Sequence, residues 1–241
     1  MADALIVKGL SKKYGDHLAV DNVSFSVGEG EIFGLIGPNG AGKTTTLRII
    51  STLLTMTSGD IWVCGNSMRT EANKIRGCIS YLPEDAGAYK DLTGRAYLRF
   101  MAGFFSSGEE LEKIVEKGIG IADLDERIDS KVSTYSKGMA RRLLIARAIM
   151  PDPKLAILDE ITSGLDVVNS FEIRDIVRKI AKNGVSVLLS SHNMFEVDQL
   201  CDRIAMIDNG KKILEGAPSE LKERFDVDTV EEVFINAAVK R

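Results

Sequence analysis

Apolar and polar residues alternate along the first part of the chain, and this period of two predicts β-strands. Residues 5–27 alternate in this way and are interrupted by turn signals at Gly15-Asp16 and at residues 28–30. Residues 45–50 are predicted to form a helix, and short apolar runs typical of strands occur at residues 31–36, 60–65 and 78–82. The first part of the chain is therefore expected to be mainly β-sheet.

The pattern changes at Asp91, where apolar residues begin to recur at helical spacing, and this continues to about Met150. Within this region we interpret one apolar stripe as core packing: Leu98, Met101, Phe104 and Phe105. The helical region ends at residues 151–153, because proline lacks the backbone N–H group that a continuing helix needs.

Beyond residue 153, predicted strands and helices alternate. Helices are expected near residues 168–182 and from Asn193, and strands at residues 155–158, 185–190 and 204–208. The first two of these strands are almost wholly apolar, which is typical of strands buried on both faces of a parallel sheet with helices on each side. The predicted fold class is therefore α/β.

Composition limits the kinds of protein this can be. The 241 residues contain no Pro/Ser linker, low-complexity tract or internal repeat, so we expect one continuous unit. Apolar residues make up 44% and charged residues 27%, as in ordinary globular proteins. The net charge of −4 gives no support for a nucleic-acid partner.

The cysteines and the apolar runs indicate a cellular compartment. Cys64, Cys78 and Cys201 are odd in number and form no C-x-x-C pair, which argues against a disulfide framework or a structural zinc site. The apolar run at the start is too short for a signal peptide, and no run approaches the ~20 residues that span a bilayer. We therefore expect a cytoplasmic protein.

One glycine-rich segment fits the phosphate-loop pattern G-x-x-x-x-G-K-[ST], between a predicted strand and a predicted helix. Its backbone N–H groups and the helix N-terminus can hold a polyphosphate, Lys43 can reach the β- and γ-phosphates, and Thr44 can hold Mg²⁺. The alternative is a glycine-rich turn with a surface lysine. The predicted ATP-binding segment comprises Gly37, Pro38, Asn39, Gly40, Ala41, Gly42, Lys43, Thr44 and Thr45.

Two carboxylates end the strand predicted at residues 155–158. In open α/β sheets, ligands bind beyond the carboxyl ends of the strands, where Asp159 and Glu160 stand. Asp159 can hold Mg²⁺, and Glu160 can accept a proton from an attacking water. The alternative is a strand that ends in two solvated acids. The pair favours hydrolysis over simple nucleotide binding.

A third motif, Tyr135-Ser136-Lys137-Gly138-Met139, opens a predicted helix. With the phosphate loop and Glu160, it makes the chain resemble the ATP-binding subunit of an ABC transporter from about Leu5 to Gly216. The resemblance implies that Ser136 and Gly138 face the γ-phosphate of ATP held by a second subunit. The motif departs from the usual Leu-Ser-Gly-Gly-Gln at positions 135, 137 and 139.

The resemblance also implies an architecture. We expect a P-loop NTPase core with a mainly parallel sheet, together with an antiparallel β subdomain and an α-helical subdomain, all within a single domain over residues 1–241. The core and β subdomain would occupy residues 1–90 and 151–220, and the helical subdomain about 91–150. Residues 221–241 would form a C-terminal tail.

Other family positions can be matched singly. The resemblance implies that Tyr14 stacks on adenine and that His192 contacts the γ-phosphate, although either could be an ordinary surface residue. Glu84 stands where the family usually has Gln, so it keeps an oxygen ligand for the metal but adds negative charge. Ser163 and Asp166 match a loop that crosses the dimer interface, and Ile161 replaces a frequent proline.

In function, the resemblance implies an ATPase that acts as a homodimer or heterodimer on the cytoplasmic face of the membrane. It would power transmembrane permease subunits, docking through residues 87–105 and the Glu84 loop. The motifs around Glu84 and Ser136 are similar to those of exporters of drugs, polymers or ions, and they do not identify the cargo.

Two other classes of protein share some of these motifs. A clamp or switch in DNA repair or translation would usually carry a coiled-coil insertion or a second cassette, and the sequence contains neither. A GTP-driven switch is suggested by the D-x-x-G match at residues 91–94, but no N-K-x-D element accompanies it, and these residues more simply begin a helix.

Overall fold

The computed structural model describes residues 3–239 of the chain. Its strands are β1 (Asp3–Tyr14), β2 (His17–Gly28), β3 (Ile32–Ile36), β4 (Ser58–Val63), β5 (Asn66–Ser67), β6 (Ile79–Leu82), β7 (Leu155–Asp159), β8 (Ser186–Ser191), β9 (Arg203–Asp208) and β10 (Lys211–Gly216). Its α-helices are α1 (Lys43–Ile50), α2 (Ala72–Arg76), α3 (Gly94–Ala102), α4 (Gly108–Ala122), α5 (Lys137–Ile149), α6 (Val167–Lys182), α7 (Met194–Leu200), α8 (Pro218–Phe225) and α9 (Val230–Val239). Short 3₁₀ turns at Asp125–Asp129 and Val132–Thr134 connect α4 to α5.

The strands form two sheets. The larger has the order β10-β9-β3-β8-β7-β6 and is parallel except for β10, which pairs antiparallel with β9. The smaller has the order β2-β1-β4-β5 and is antiparallel. Strands β3, β7 and β8 are buried along their whole length, as expected for a parallel sheet covered on both faces, and the predicted α/β class is confirmed.

Two apolar clusters hold the layers together. One lies between the smaller sheet, α1 and one face of the larger sheet, with Phe25 and Phe33 stacked at 5.3 Å between ring centroids. The other joins the opposite face to α3, α4, α5 and α6. The carboxyl ends of β3, β7 and β8 therefore open at one edge of a sheet that is packed on both sides.

The expected apolar stripe of the helical region is only half correct. Leu98 is fully buried and Met101 packs against the core, but Phe104 and Phe105 are 69% and 58% exposed. The reason is that α3 ends at Ala102, so the two phenylalanines follow in a turn that leaves the buried face of the helix. The helical spacing of apolar residues therefore predicts burial only as far as Ala102, where the helix ends.

The C-terminal part contains more regular structure than the sequence pattern indicated. Strand β10 and helices α8 and α9 were not predicted, and the predicted tail boundary at residue 221 falls inside α8. Leu221 and Val233 are buried in the larger core cluster, so α8 and α9 pack on the domain. The division into subdomains stays a prediction.

Candidate functional site

The glycine-rich segment forms the loop between β3 and α1. Helix α1 begins at Lys43, directly after Gly42. Gly37 has to be glycine, because a Cβ atom there would lie 2.0 Å from the carbonyl oxygen of Ile207 on β9. The loop therefore packs tightly against the neighbouring strand and leads into a helix N-terminus, whose first N–H groups attract anions.

Lys43 is buried at the centre of this loop and is only 5% exposed. Its ammonium group donates hydrogen bonds to the carbonyl oxygens of Gly37 at 2.7 Å and Pro38 at 3.2 Å. It also lies 3.4 Å from the Glu160 carboxylate. A buried ammonium needs oxygen acceptors around it. Phosphate oxygens could therefore accept hydrogen bonds from Lys43 in the same position.

Asp159 ends β7 and accepts hydrogen bonds from three other elements. The hydroxyl of Thr44 donates to it over 3.3 Å, that of Tyr81 over 3.3 Å, and that of Ser190 also donates to it. Burial, and then the Asp159 charge, raise the pKa of Tyr81 to about 12, so this phenol stays a donor at neutral pH. Asp159 thus connects α1, β6 and β8 at the carboxyl edge of the sheet.

Glu160 follows in a left-handed backbone conformation, with φ at +48°. Its amide donates to the carbonyl oxygen of Ser190 at 3.2 Å, and its carboxylate lies 2.8 Å from Nδ1 of His192. Its side chain is buried, whereas that of His192 is 47% exposed. The carboxylate is therefore held between Lys43 on one side and His192 on the other.

A cavity of about 280 Å³ covers the loop and brings Tyr14, Glu84 and Glu160 together with residues 39–45. Tyr14 is exposed at the rim, with the Lys12 ammonium 4.9 Å from its ring centroid. His17 also lines this cavity, and no role was predicted for it because a lone histidine beside a turn carries no signal. Tyr81 and Ser190 were likewise missed, since only pairing of β6, β7 and β8 brings them to Asp159.

Glu84 lies between this cavity and a second one of about 300 Å³, which Lys137, Arg141 and Ser163 also line. The Arg141 guanidinium donates to the backbone oxygen of Glu84 at 3.0 Å. Burial lowers the pKa of Arg141, and the Glu84 carboxylate opposes that shift. The charge that Glu84 adds therefore faces a guanidinium on α5.

The donor set at the loop fits a magnesium ion. The Thr44 hydroxyl and the Asp159 carboxylate are hard oxygen donors 3.3 Å apart. Within residues 3–239, no group of three or more His, Cys, Asp or Glu side chains could hold a metal alone. Mg²⁺ does not need such a cage, because it is usually held by one or two protein ligands together with phosphate oxygens and waters.

Comparison with known proteins assigns this geometry to a family. The sequence profile of the ABC transporter family matches residues 20–163. The chain is an ATP-binding cassette of the ABC transporter family. It is 39% identical to an uncharacterised ABC transporter ATP-binding protein of Bacillus subtilis, over 88% of this chain and 70% of that protein. It is also 39% identical to a Nod factor export ATP-binding protein I of Cupriavidus metallidurans, over 92% and 73%.

Solved cassettes share the whole fold. The ATP-binding subunit of an ABC transporter aligns with a TM-score of 0.84 at 28% identity, over 98% of this chain and 99% of that one. A dimeric cassette in a post-hydrolysis state, bound to ADP and Pi, aligns with a TM-score of 0.77 at 27% identity, over 88% and 98%. The resemblance, the fold and the ATP hydrolase class are thereby confirmed.

In this cassette, Ser136 and Gly138 lie at the N-terminus of α5, outside the cavity that covers the phosphate loop. Ser136 is exposed and caps the helix by accepting the Met139 amide at 3.2 Å. Gly138 packs against Asn169, whose amide oxygen would lie 1.7 Å from a Cβ atom there. Asp166 caps α6 by accepting the Asn169 backbone amide at 2.9 Å, so Asn169 lies between the expected interface loop and the signature motif.

The described helices were compared with the requirements of a membrane span. Within residues 3–239, none of them combines the length and the apolar character that a bilayer span requires.

Proposed function

We propose that the chain is the motor subunit of an export transporter and hydrolyses ATP as a dimer. The observation that carries the proposal is the convergence of Lys43, Asp159, Glu160 and His192 at one edge of the parallel sheet. These side chains come from three separate stretches of sequence. Glu160 lies 3.4 Å from Lys43 and 2.8 Å from His192, and Asp159 accepts the hydroxyl of Thr44, the neighbour of Lys43, at 3.3 Å.

Each residue has a role that its position supports. The N–H groups of residues 39–45 and the Lys43 ammonium would bind the phosphates, and Tyr14 would stack on the adenine from the rim. Glu160 would act as general base, accepting a proton from the attacking water. His192 would contact the γ-phosphate through Nε2, because its Nδ1 is engaged with Glu160.

Thr44 and Asp159 would hold Mg²⁺, and Glu84, which lines the same cavity as Thr44, would supply a further oxygen ligand. When bound, this ion neutralises negative charge on the phosphate oxygens. Tyr81 and Ser190 donate hydrogen bonds to the Asp159 carboxylate and so fix its orientation. Hydrogen bonds of this kind hold a ligating carboxylate in the orientation that the metal ion needs.

The second half of the site would come from another copy or a related subunit. Ser136 is an exposed helix cap outside the loop cavity, so its hydroxyl and the N-terminus of α5 are available to phosphate held by a partner. Two ATP molecules would then lie between the subunits, with Ser163 and Asp166 close to the shared surface. The dimeric relative bound to ADP and Pi supports this arrangement.

Permease docking is assigned to an aromatic patch made of Tyr89, Phe100, Phe104 and Phe105. Tyr89 and Phe104 each lie edge-to-face against Phe100, at 5.5 and 5.3 Å between centroids, and the patch is exposed. It borders a cleft of about 440 Å³ that contains Phe105 and Tyr81. Tyr81 also donates a hydrogen bond to Asp159. A partner segment bound in the cleft would therefore contact a residue that is bonded directly to the proposed metal ligand.

Several relatives are named for Nod factor export, which supports export as the direction of transport. The cargo of this chain does not follow from their names. A cassette that docks on a permease through this patch would lie on the cytoplasmic face of the membrane, where ATP is available.

Mixing two inactive variants tests the shared site. Ser136→Arg keeps an intact phosphate loop, and Lys43→Ala keeps an intact signature motif. Each alone should be inactive, whereas a mixture should recover about one quarter of wild-type hydrolysis, because half of the dimers would carry one complete site of two. A mixture as inactive as its components would contradict the shared site.

A charge placed in the aromatic patch tests docking. Phe104→Glu should remove the cassette from membranes that contain its permease, while ATP hydrolysis by the isolated cassette stays unchanged. Ile235→Glu, an exposed apolar residue on α9, is the matched control and should leave membrane association intact. Equal loss for both variants would argue against the patch.

A further inference from the structure

A polar cluster with two buried members lies behind the hydrolytic edge, and none of the roles above uses it. It consists of Thr162, Arg174 and Glu196, and we refer to it as the Glu196 cluster. The Thr162 hydroxyl donates to the Glu196 carboxylate, and Nη1 of Arg174 lies 3.6 Å from the other carboxylate oxygen. Glu196 is 4% exposed and Arg174 is 9% exposed.

The cluster joins the segments that carry Glu160 and His192, the two residues proposed to act at the γ-phosphate. Thr162 follows Glu160 by two residues, in the loop that leaves β7. Glu196 lies on the first turn of α7, four residues after His192, and its amide is capped by the Asn193 side chain at 3.3 Å. The hydrogen bond between Thr162 and Glu196 therefore ties the Glu160 segment to the His192 segment.

The Glu160 segment needs such a tie. Glu160 has a positive φ of +48°, which costs free energy for any residue with a Cβ atom and persists only where surrounding contacts impose it. Its amide bonds to Ser190 hold one side of the turn. The Thr162 bond to Glu196 holds the other side.

Stability alone does not account for a charged group in this place. Burying Glu196 and Arg174 costs desolvation free energy, and apolar residues of similar volume often serve a fold as well. Moreover, Nε of Arg174 and Oε1 of Glu196 make no hydrogen bond to any described residue. The ion pair with Arg174 instead orients the Glu196 carboxylate, which accepts the hydrogen bond from the Thr162 hydroxyl.

We propose that Glu196 is a positioning residue whose bond to Thr162 sets the spacing between the Glu160 carboxylate and the His192 ring. The inference rests on the proposed roles of Glu160 and His192 in hydrolysis. Arg174 on α6 holds Glu196 from behind, and α6 begins at the interface loop that contains Asp166. If closure of a dimer displaces that loop, the displacement would be transmitted to the Glu160–His192 pair through α6 and the Glu196 cluster.

Removing one hydroxyl tests the proposal with little change in volume. Thr162→Val should lower kcat about ten- to a hundred-fold, as expected when a reacting group is misplaced, with the KM for ATP within about two-fold of wild type. Thr162→Ser should restore kcat, because it restores the donor. Ser186→Ala is the matched control, since it removes another hydrogen-bonded hydroxyl, the acceptor of the Gly30 amide, at the far end of β8.

Hydrogen exchange on the nucleotide-free protein gives a readout independent of hydrolysis. Thr162→Val should speed amide exchange in residues 160–166 and 192–197 together, and Ser186→Ala should change neither. If Thr162→Val does not fold, Thr162→Ala removes the same donor. Faster exchange in only one segment, or a kcat equal to that of Ser186→Ala, would overturn the proposal. If wild type itself fails to hydrolyse ATP, the proposed function fails while exchange still decides whether the tie exists.

Discussion

The two halves of the proposed nucleotide site differ in how far one chain completes them. The phosphate-loop half is enclosed: Lys43, Asp159 and Glu160 are buried and make their polar contacts within the chain. The signature half is an exposed helix N-terminus, where Ser136 caps α5 outside the loop cavity. A single chain can thus organise nucleotide binding, whereas in the proposed dimer hydrolysis would need a second chain.

The largest effect is expected from breaking the enclosed half at its centre. Lys43→Ala should weaken ATP binding at least about 100-fold, because two or more charge-assisted contacts to phosphate are lost, each contributing about 1.5–3 kcal/mol. Equilibrium titration with a fluorescent ATP analogue measures this. Lys179→Ala, an exposed lysine on α6, should bind normally. Unchanged affinity in the Lys43 variant would remove the lysine from phosphate binding.

Next comes a variant that separates binding from hydrolysis within the same half. Glu160→Gln should retain ATP affinity but lose about 10²- to 10⁴-fold in kcat, the range expected for a positioned general base. ATP should then accumulate in a closed dimer, visible as a dimer peak in size-exclusion chromatography. Glu126→Gln, an exposed acid, serves as the control. Wild-type turnover in the Glu160 variant would exclude the residue from the mechanism.

A change in the signature half should lower hydrolysis and leave binding by the single chain intact. Ser136→Arg should reduce hydrolysis about 100-fold or more, since a phosphate donor is replaced by a bulky side chain, while ATP binding to the monomer stays unchanged. The variant should also lose about 1 kcal/mol of unfolding free energy through its helix cap, which calorimetry can detect. Weaker monomer binding would place Ser136 in the phosphate-loop half instead.

The smallest effect concerns pH. Burial raises the pKa of Glu196, against the opposing influence of Thr162 and Arg174 and with a further push from Glu160. An acid whose folded pKa exceeds its unfolded value stabilises the fold most below the unfolded value, and that contribution is lost as pH rises through the folded pKa. The melting temperature of wild type minus that of Glu196→Gln should therefore fall as pH rises from about 4.5. A difference that stays flat or rises would mean the pKa is not raised.

Local pattern was enough for the elements that carry the chemistry. The phosphate loop, the carboxylates at the end of β7 and the helix starts near Ser136 and Asn193 each depend on a few consecutive residues, whose turn, strand and capping preferences act over short distances along the chain. The α/β class followed from the buried strands for the same reason.

Side-chain neighbours distant in sequence were decided only by the tertiary structure. Pairing of β6, β7 and β8 brings Tyr81 and Ser190 to Asp159, and packing of α6 and α7 on the loop after β7 creates the Glu196 cluster. The same holds for the exposure of Phe104, which depends on where α3 ends. Such contacts depend on how whole elements pack, and periodicity records only which face of an element is apolar.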